Sequence, residues 1–474
     1  MKLKITDTTL YFLFDSTDEH NALDSILTFD NMANVFCGGT FDKNKIKKVH
    51  FLKKRKNVYY CNAGFLYEIL NFIKSNQFKV TELKDERTKF DFNKKDFSYE
   101  ELKSYFNPNF KYVDHQVKTL TKLLKINNGI ACLPTSAGKG DIIAAYIKVT
   151  NLPTLVLVNK VLLCEQLYER FKEYGIEDIG LNTGSKVINP NGKVVVSTIG
   201  SVFKLNLTNF VCLIGDEIHN FSANTFQDFL SKVSYPIKIG FSATPNKGDK
   251  YKFALIRQYF GSVTISVESN ELIENGVMAK PIIYFIKNHV NNEINYKSSY
   301  LNEIVLNNER NDTIVKICDH FNLPTLILLQ DVVNGQGLYL KDKLESLGKK
   351  VSFINGGTKD RYENIENLEN DEIDVLIATG ILNEGVSIKN IKLLINASGL
   401  KSFSLTAQKI GRGLRIKENK DKVAIIDFLD EGNYFLSRHA NQRISIFKKL
   451  GYTDIYKVSL NELLQYDERN LLER

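Results

Sequence analysis

The chain has 474 residues, more than one hydrophobic core normally serves, so two or three domains are expected. Its 43% hydrophobic and 25% charged residues are those of a globular protein, which excludes a disordered or fibrous chain, and a net charge of +8 permits an anionic partner without requiring one. Cys37, Cys61, Cys132, Cys164, Cys212 and Cys318 lie far apart with no CxxC pair, so neither a zinc knuckle nor a disulfide framework is indicated.

Near the N-terminus the apolar run Leu10–Phe14 is followed by acidic residues and is too short for a signal peptide or a membrane span, so a cytoplasmic protein is expected. Residues 1–100 read as a small α+β domain with short strands and a helix from about Ala63 to Lys74. Between Lys43 and Lys56 lie eight Lys or Arg and no acid, interleaved with Ile46, Val49, Phe51 and Leu52, as in a hairpin packed on one side. Lys53, Lys54 and Arg55 are its candidate phosphate contacts, although a solvated lysine-rich hairpin has the same composition.

From residue 129 short apolar runs alternate with helical stretches: 129–133, 154–158, 194–196 and 210–214, then 324–329, 351–354, 374–378, 392–396 and 423–427. Such runs predict parallel sheets buried on both faces. The fold class is therefore α/β, two tandem lobes at 101–280 and 281–450. The boundary is set where a helical pattern ends in Gly276 and Pro281 follows. Residues 451–474 are left as a C-terminal tail, helical and amphipathic in part.

Four motifs carry chemistry. Pro134-Thr135-Ser136-Ala137-Gly138-Lys139-Gly140 follows a strand and opens a helix at Asp141, the setting in which backbone N–H groups and a lysine enclose a polyphosphate. Gly140 stands where a Ser or Thr hydroxyl normally meets magnesium, so altered turnover is an open expectation. At the next strand tip Asp216-Glu217-Ile218-His219 pairs a metal-holding carboxylate, Asp216, with one that orients water, Glu217. Ser242-Ala243-Thr244 closes a third strand. In the second lobe, Gln408 to Arg415 places Arg412 and Arg415 three apart on one helix face, suited to phosphate.

In this order the motifs resemble those of the superfamily 2 helicases, and the resemblance spans about residues 105 to 435. It implies two RecA-like lobes using ATP and magnesium. Gln116 looks like the adenine-reading glutamine, and Glu384 and Gly385 like the motif facing nucleotide and nucleic acid. Thr198 and Thr379 match phosphate contacts to the tracked strand. His219, Ser242, Thr244 and Gln408 match residues that couple hydrolysis to closure, and Arg415 the arginine finger with Arg412 beside it. A narrower likeness, to UvsW-type recombination and branch-migration helicases of tailed phages, rests on LPTSAGK, EGVSIKN and the small first domain. It implies branched or single-stranded DNA as partner, a monomer, and host cytoplasm. RNA, a double-strand translocase, and a nucleic-acid binding protein with little hydrolysis stay open.

Overall fold

The structure, a computed structural model, describes residues 1–32, 36–37, 40–41, 43–108, 113–134, 137–245, 248–293, 295–330, 333–358, 360–379, 388, 390–400 and 421–473. It divides into two compact units, one of residues 1–133 and 138–266, the other of 134–137 and 267–474. Among the described residues no helix is long and apolar enough to cross a membrane.

The first unit is built on an eight-stranded sheet in the order 187–188, 179–182, 194–198, 154–158, 212–216, 237–242, 128–132, 263–266. Only the strand Val187–Ile188 runs antiparallel to its neighbour. Strands Thr154–Val158, Val194–Thr198, Cys212–Asp216 and Ile237–Ser242 are buried along their whole length, as expected of β-branched runs covered on both faces. The register decides where the chemistry falls. Asn128–Cys132 pairs with Ile237–Ser242 so that Cys132 lies beside Ser242, and Cys212–Asp216 pairs with the other edge so that Asp216 lies beside Phe241. Three motifs therefore leave the same edge of the sheet on adjacent strands.

The N-terminal segment forms a five-stranded sheet in the order 53–55, 58–62, 9–13, 2–5, 82–85, with helices Thr17–Ile26 and Leu66–Ser75. The helix expected from Ala63 is present, its first turn tightened to a 3₁₀ helix at Ala63–Phe65. The basic stretch is not one hairpin. Lys47–His50 pairs with Thr28–Asn31 and Lys53–Arg55 with Val58–Asn62, because Phe51 and Leu52 between them turn inward to the core.

This segment is not free-standing either. Its core of Leu3, Ile5, Leu10, Phe12, Phe65 and Ile69 includes Ala254 of the lobe helix Lys250–Phe260. Arg257 of that helix pairs with Glu68 at 2.8 Å, and its guanidinium lies 5.9 Å from the centre of the Phe65 ring. A row of amides continues the attachment: Asn62 Nδ2 donates to Gln258 Oε1 at 2.7 Å, Gln258 Nε2 to Gln227 Oε1 at 3.0 Å, and Gln227 Nε2 to the Phe221 carbonyl at 2.7 Å.

The second unit holds a seven-stranded parallel sheet in the order 351–354, 375–378, 325–328, 393–396, 422–431, 280–289, 455–458. Pro281 sits at the start of the ten-residue strand Lys280–His289 rather than in a linker. The chain enters this unit at Val267, earlier than the expected 280, and Asn270 of helix Ser269–Glu274 donates to the Gly451 carbonyl at 3.0 Å. Residues 451–474 are no loose tail, since Ile455–Val458 is an edge strand and Leu463 and Leu471 are fully buried. Two buried ion pairs, Arg443 with Asp427 at 2.9 Å and Arg310 with Asp430 at 3.2 Å, lie along the second half of the strand Lys422–Glu431. Arg443 also donates to the carbonyls of Phe428 at 2.9 Å and Gly399 at 2.9 Å.

Gly64 is the tightest point of the N-terminal attachment. A Cβ there would fall 2.1 Å from the Arg257 carbonyl oxygen and 2.6 Å from that of Gln258, both backbone atoms of a helix that cannot yield cheaply. Gly64→Ala is expected to destabilise the first unit by about 1–3 kcal/mol, the usual cost of overpacking, seen as a melting midpoint several degrees lower.

Candidate functional site

The loop after Cys132 returns to the sheet through Leu133, whose N–H donates to the Ser242 carbonyl at 3.0 Å. Ala137 N–H then closes a turn on the Pro134 carbonyl at 3.2 Å. Gly138 has φ 73° and ψ 39° and caps the helix Lys139–Thr150. Only glycine adopts this left-handed conformation readily. A Cβ would also fall 2.1 Å from Nε2 of Gln116, so the glycine opens space that the glutamine amide enters. Gln116, on helix Asp114–Leu124, is buried and its Oε1 has no hydrogen-bond partner. A buried acceptor left open costs about 1–3 kcal/mol, which a donor supplied by a bound molecule would offset.

Lys139 Nζ stands 3.5 Å from Glu217 Oε1, both side chains nearly buried. Glu217 has φ 50° and ψ 47°, a left-handed conformation that costs a residue with a Cβ roughly 1–2 kcal/mol. It is held there by its own N–H, which donates to Asp216 Oδ1 at 2.9 Å, and by its carbonyl, which accepts from Asn220 N–H at 3.1 Å. Strain fixed by neighbours in this way is the mark of a side chain aimed for a purpose. Burial alone would raise the Glu217 carboxyl, but the Lys139 ammonium and His219 together hold it well below the usual carboxylate range. The carboxylate is therefore anionic, with its negative charge balanced mainly by the lysine.

His219 Nδ1 lies 3.0 Å from Ser242 Oγ and 3.2 Å from Glu217 Oε2. The geometry favours the serine bond, and Oε2 is left without a hydrogen bond. Ser242 Oγ also accepts from Thr244 N–H at 3.2 Å. One hydroxyl thus joins the acidic turn to the loop that follows the neighbouring strand. The carboxylate pair, the lysine and the open acceptor on Gln116 form a donor set that fits a nucleotide with its magnesium.

Asp141 is placed otherwise. Its Oδ1 accepts from Arg170 Nη1 at 2.8 Å and from the Tyr174 hydroxyl at 2.9 Å, so this oxygen is turned to the next helix. That pair was not legible in the sequence, because Arg170 and Tyr174 carry no motif and only the fold brings them to Asp141. Thr198 is buried and donates to Ser201 Oγ at 3.1 Å. In the second unit Thr379 is buried just past the strand Val375–Ala378, its N–H on the Ile354 carbonyl at 3.2 Å. Lys53, Lys54 and Arg55 are all exposed, with Lys54 Nζ 5.0 Å from the Tyr59 ring centre. Thr135, Ser136, Glu384, Gly385, Gln408, Arg412 and Arg415 lie outside the described residues.

A parallel sheet whose adjacent strand ends bear a lysine after a left-handed glycine, a carboxylate pair and a bridging serine defines a phosphate-binding α/β domain of the helicase kind. Two family models match in tandem: the type III restriction enzyme res subunit over residues 109–247 and the helicase conserved C-terminal domain over 296–417. The chain belongs to the superfamily 2 helicases, a class of nucleic-acid-dependent ATPases. A helicase of Sulfolobus islandicus filamentous virus (isolate Iceland/Hveragerdi) is 25% identical over 376 residues, covering 70% of this chain and 66% of its own length. The ATP-dependent DNA helicase uvsW of Enterobacteria phage T4 is 26% identical over 329 residues, covering 63% of this chain and 64% of its own. About a third of each relative thus lies beyond the matched segment. Among solved structures, S. cerevisiae Dbp5 bound to RNA and ADP BeF3 matches 79% of this chain and 100% of its own at 18% identity and a TM-score of 0.55, a likeness of fold.

Gly140 gives this site a specific test. A Cβ at 140 would lie 3.3 Å from Leu167 Cδ2 and 3.9 Å from Arg170 Cγ, so a small side chain fits if the end of Leu167 moves a few tenths of an ångström. Gly140→Ser is expected to restore a hydroxyl ligand and to lower, several-fold, the magnesium concentration giving half-maximal ATP turnover. A magnesium titration that is unchanged would show that the hydroxyl is not what this loop lacks.

Proposed function

We propose that this chain is an ATP-driven helicase or translocase that remodels branched or single-stranded DNA in recombination, replication or repair. The observation that carries it is the contact of Lys139 with Glu217, 3.5 Å apart at the tip of a buried parallel sheet, reaching past the strand Ile237–Ser242 that separates their own strands. An ATP polyphosphate seated over Gly138 would draw Lys139 away from Glu217. Losing its counter-ion makes the Glu217 carboxylate a stronger base, so the group that orients and deprotonates the attacking water is strengthened by substrate binding. Asp216 would hold the magnesium that accompanies the nucleotide and offsets charge developing on the phosphates. His219, through Ser242 to Thr244, passes a change at Glu217 to the next strand. Arg412 and Arg415, with Gln408, are assigned by motif to the transition-state contacts from the second unit, and Glu384 and Gly385 to the nucleotide and nucleic-acid face.

DNA is preferred because one relative is named as a DNA helicase and because this chain bears an exposed basic strand at Lys53–Arg55. RNA is the alternative, since one solved relative in fold is bound to RNA and backbone contacts carry little sugar or base information. ATP hydrolysis measured without nucleic acid and with single-stranded DNA, duplex, branched DNA and RNA separates these. Turnover raised at least tenfold by branched or single-stranded DNA and abolished in Lys139→Ala is expected. Stimulation by RNA alone, or tight binding with negligible turnover, overturns the DNA-motor reading.

Charge reversal at Lys53, Lys54 and Arg55 is expected to weaken DNA binding for every sequence tested. It should also reduce the slope of log affinity against log salt by about 2–3, since each phosphate neutralised by a basic side chain adds roughly 0.9 to that slope. An unchanged slope removes this strand from the interface.

A further inference from the structure

One cavity lies apart from the nucleotide chemistry and shares only Lys53 with the basic strand Lys53–Arg55. It has a volume of about 470 Å³ and lies between the N-terminal sheet and the lobe of the first unit. Its polar lining includes Thr8, Thr9, His50, Lys53, Asn62 and Lys238, and no carboxylate is among its lining residues.

Lys238 is the anomaly. It is 2% exposed, the second residue of the strand Ile237–Ser242, whose other residues are all buried too. Its ammonium donates to the Tyr235 carbonyl at 2.6 Å. Among the described residues it has no carboxylate within ion-pair distance, so of three N–H donors one is matched. Asp7, the carboxylate whose charge reaches it, is itself held by the Thr88 N–H at 2.8 Å and hydroxyl at 2.6 Å. Burial pulls the ammonium down to about 8, a measure of what holding this charge costs where no counter-ion meets it. A carbonyl alone does not require a lysine, and burying one without a counter-ion is strongly disfavoured. The exposed Lys53 adds to the positive lining.

We infer that this cavity is a second anion site, taking a phosphate group at Lys238. It is separate from the nucleotide site: Lys238 and Ser242 are four residues apart on one strand, about 13 Å at the usual rise, and the phosphate loop leaves beside Ser242. Thr8, Thr9 and Ser234 line it with hydroxyls suited to phosphate oxygens. The phosphate comes either from a small phosphorylated ligand or from a nucleic-acid backbone.

The chain contains no tryptophan, so Tyr259→Trp, on the cavity wall, gives a single emission reporter in the full-length protein. Titration with inorganic phosphate is expected to shift its emission saturably. The response should persist in Lys139→Ala, which disables the nucleotide site. In the Tyr259→Trp protein with Lys139 intact, Lys238→Met should raise the half-saturating phosphate concentration at least tenfold with binding of a fluorescent ADP analogue unchanged, and Lys53→Gln should raise it several-fold. Should Lys238→Met fail to fold, the Lys53→Gln shift decides. Displacement of phosphate by a short single-stranded oligonucleotide names the backbone as the source, and its absence names a small ligand. An emission insensitive to phosphate, or a response that both substitutions leave unaltered, overturns the assignment.

Discussion

The first unit depends on the register of three parallel strands. Pairing Cys132 with Ser242 and Asp216 with Phe241 brings the phosphate loop, the acidic turn and the serine loop out along one edge, within hydrogen-bond reach of one another. Slipping any of these strands by one residue would turn its buried side chains to the opposite face and carry its loop out of reach. Apolar burial enforces the register, and the chemistry is positioned as a result. The strands that bear the polar tips are themselves buried along their whole length.

Much of this was legible. The apolar runs at 154–158 and 351–354 match their strands residue for residue, and the other runs named from the sequence lie within a few residues of observed strands. Fully buried parallel strands announce themselves as unbroken apolar runs. The strands that escaped are of another kind. Ile179–Asn182 and Val263–Ser266 are four residues each, too short and mixed to stand out, and Lys280–His289 begins with a lysine and a proline that read as a linker. An edge strand such as Ile455–Val458 is specified by its partner more than by its own pattern.

That Gly138, Lys139, Asp216, Glu217 and Ser242 would gather at one sheet edge was legible where residue type and order carry the information. The site was not legible where only packing does. Nothing in the sequence ties Asp141 to Arg170 and Tyr174, and nothing marks Lys238 as buried, since a lysine within an apolar run reads as a surface position. The second unit repeats the lesson. Arg443 and Arg310 look like ordinary helix-surface residues, yet both are wholly buried on aspartates of one strand. Removing one partner of such a pair typically costs about 3–5 kcal/mol, because the other charge is stranded. These arginines also reach the carbonyls of Ala397 and Gly399, so they brace the chain as it leaves the strand Leu393–Asn396.

The amide row from Asn62 to Phe221 has a polarity. Each side-chain amide in it gives its N–H to the next acceptor in the same direction, from the N-terminal sheet toward the turn that follows His219. Rotating the amide of Gln258 would set like against like at both of its ends, so the row cannot be reversed one link at a time. The joint therefore behaves as a keyed fitting rather than an adhesive one: it has a single correct seating. An N-terminal segment borrowed from another protein could match its apolar face and still not engage unless it offered a donor at the position of Asn62.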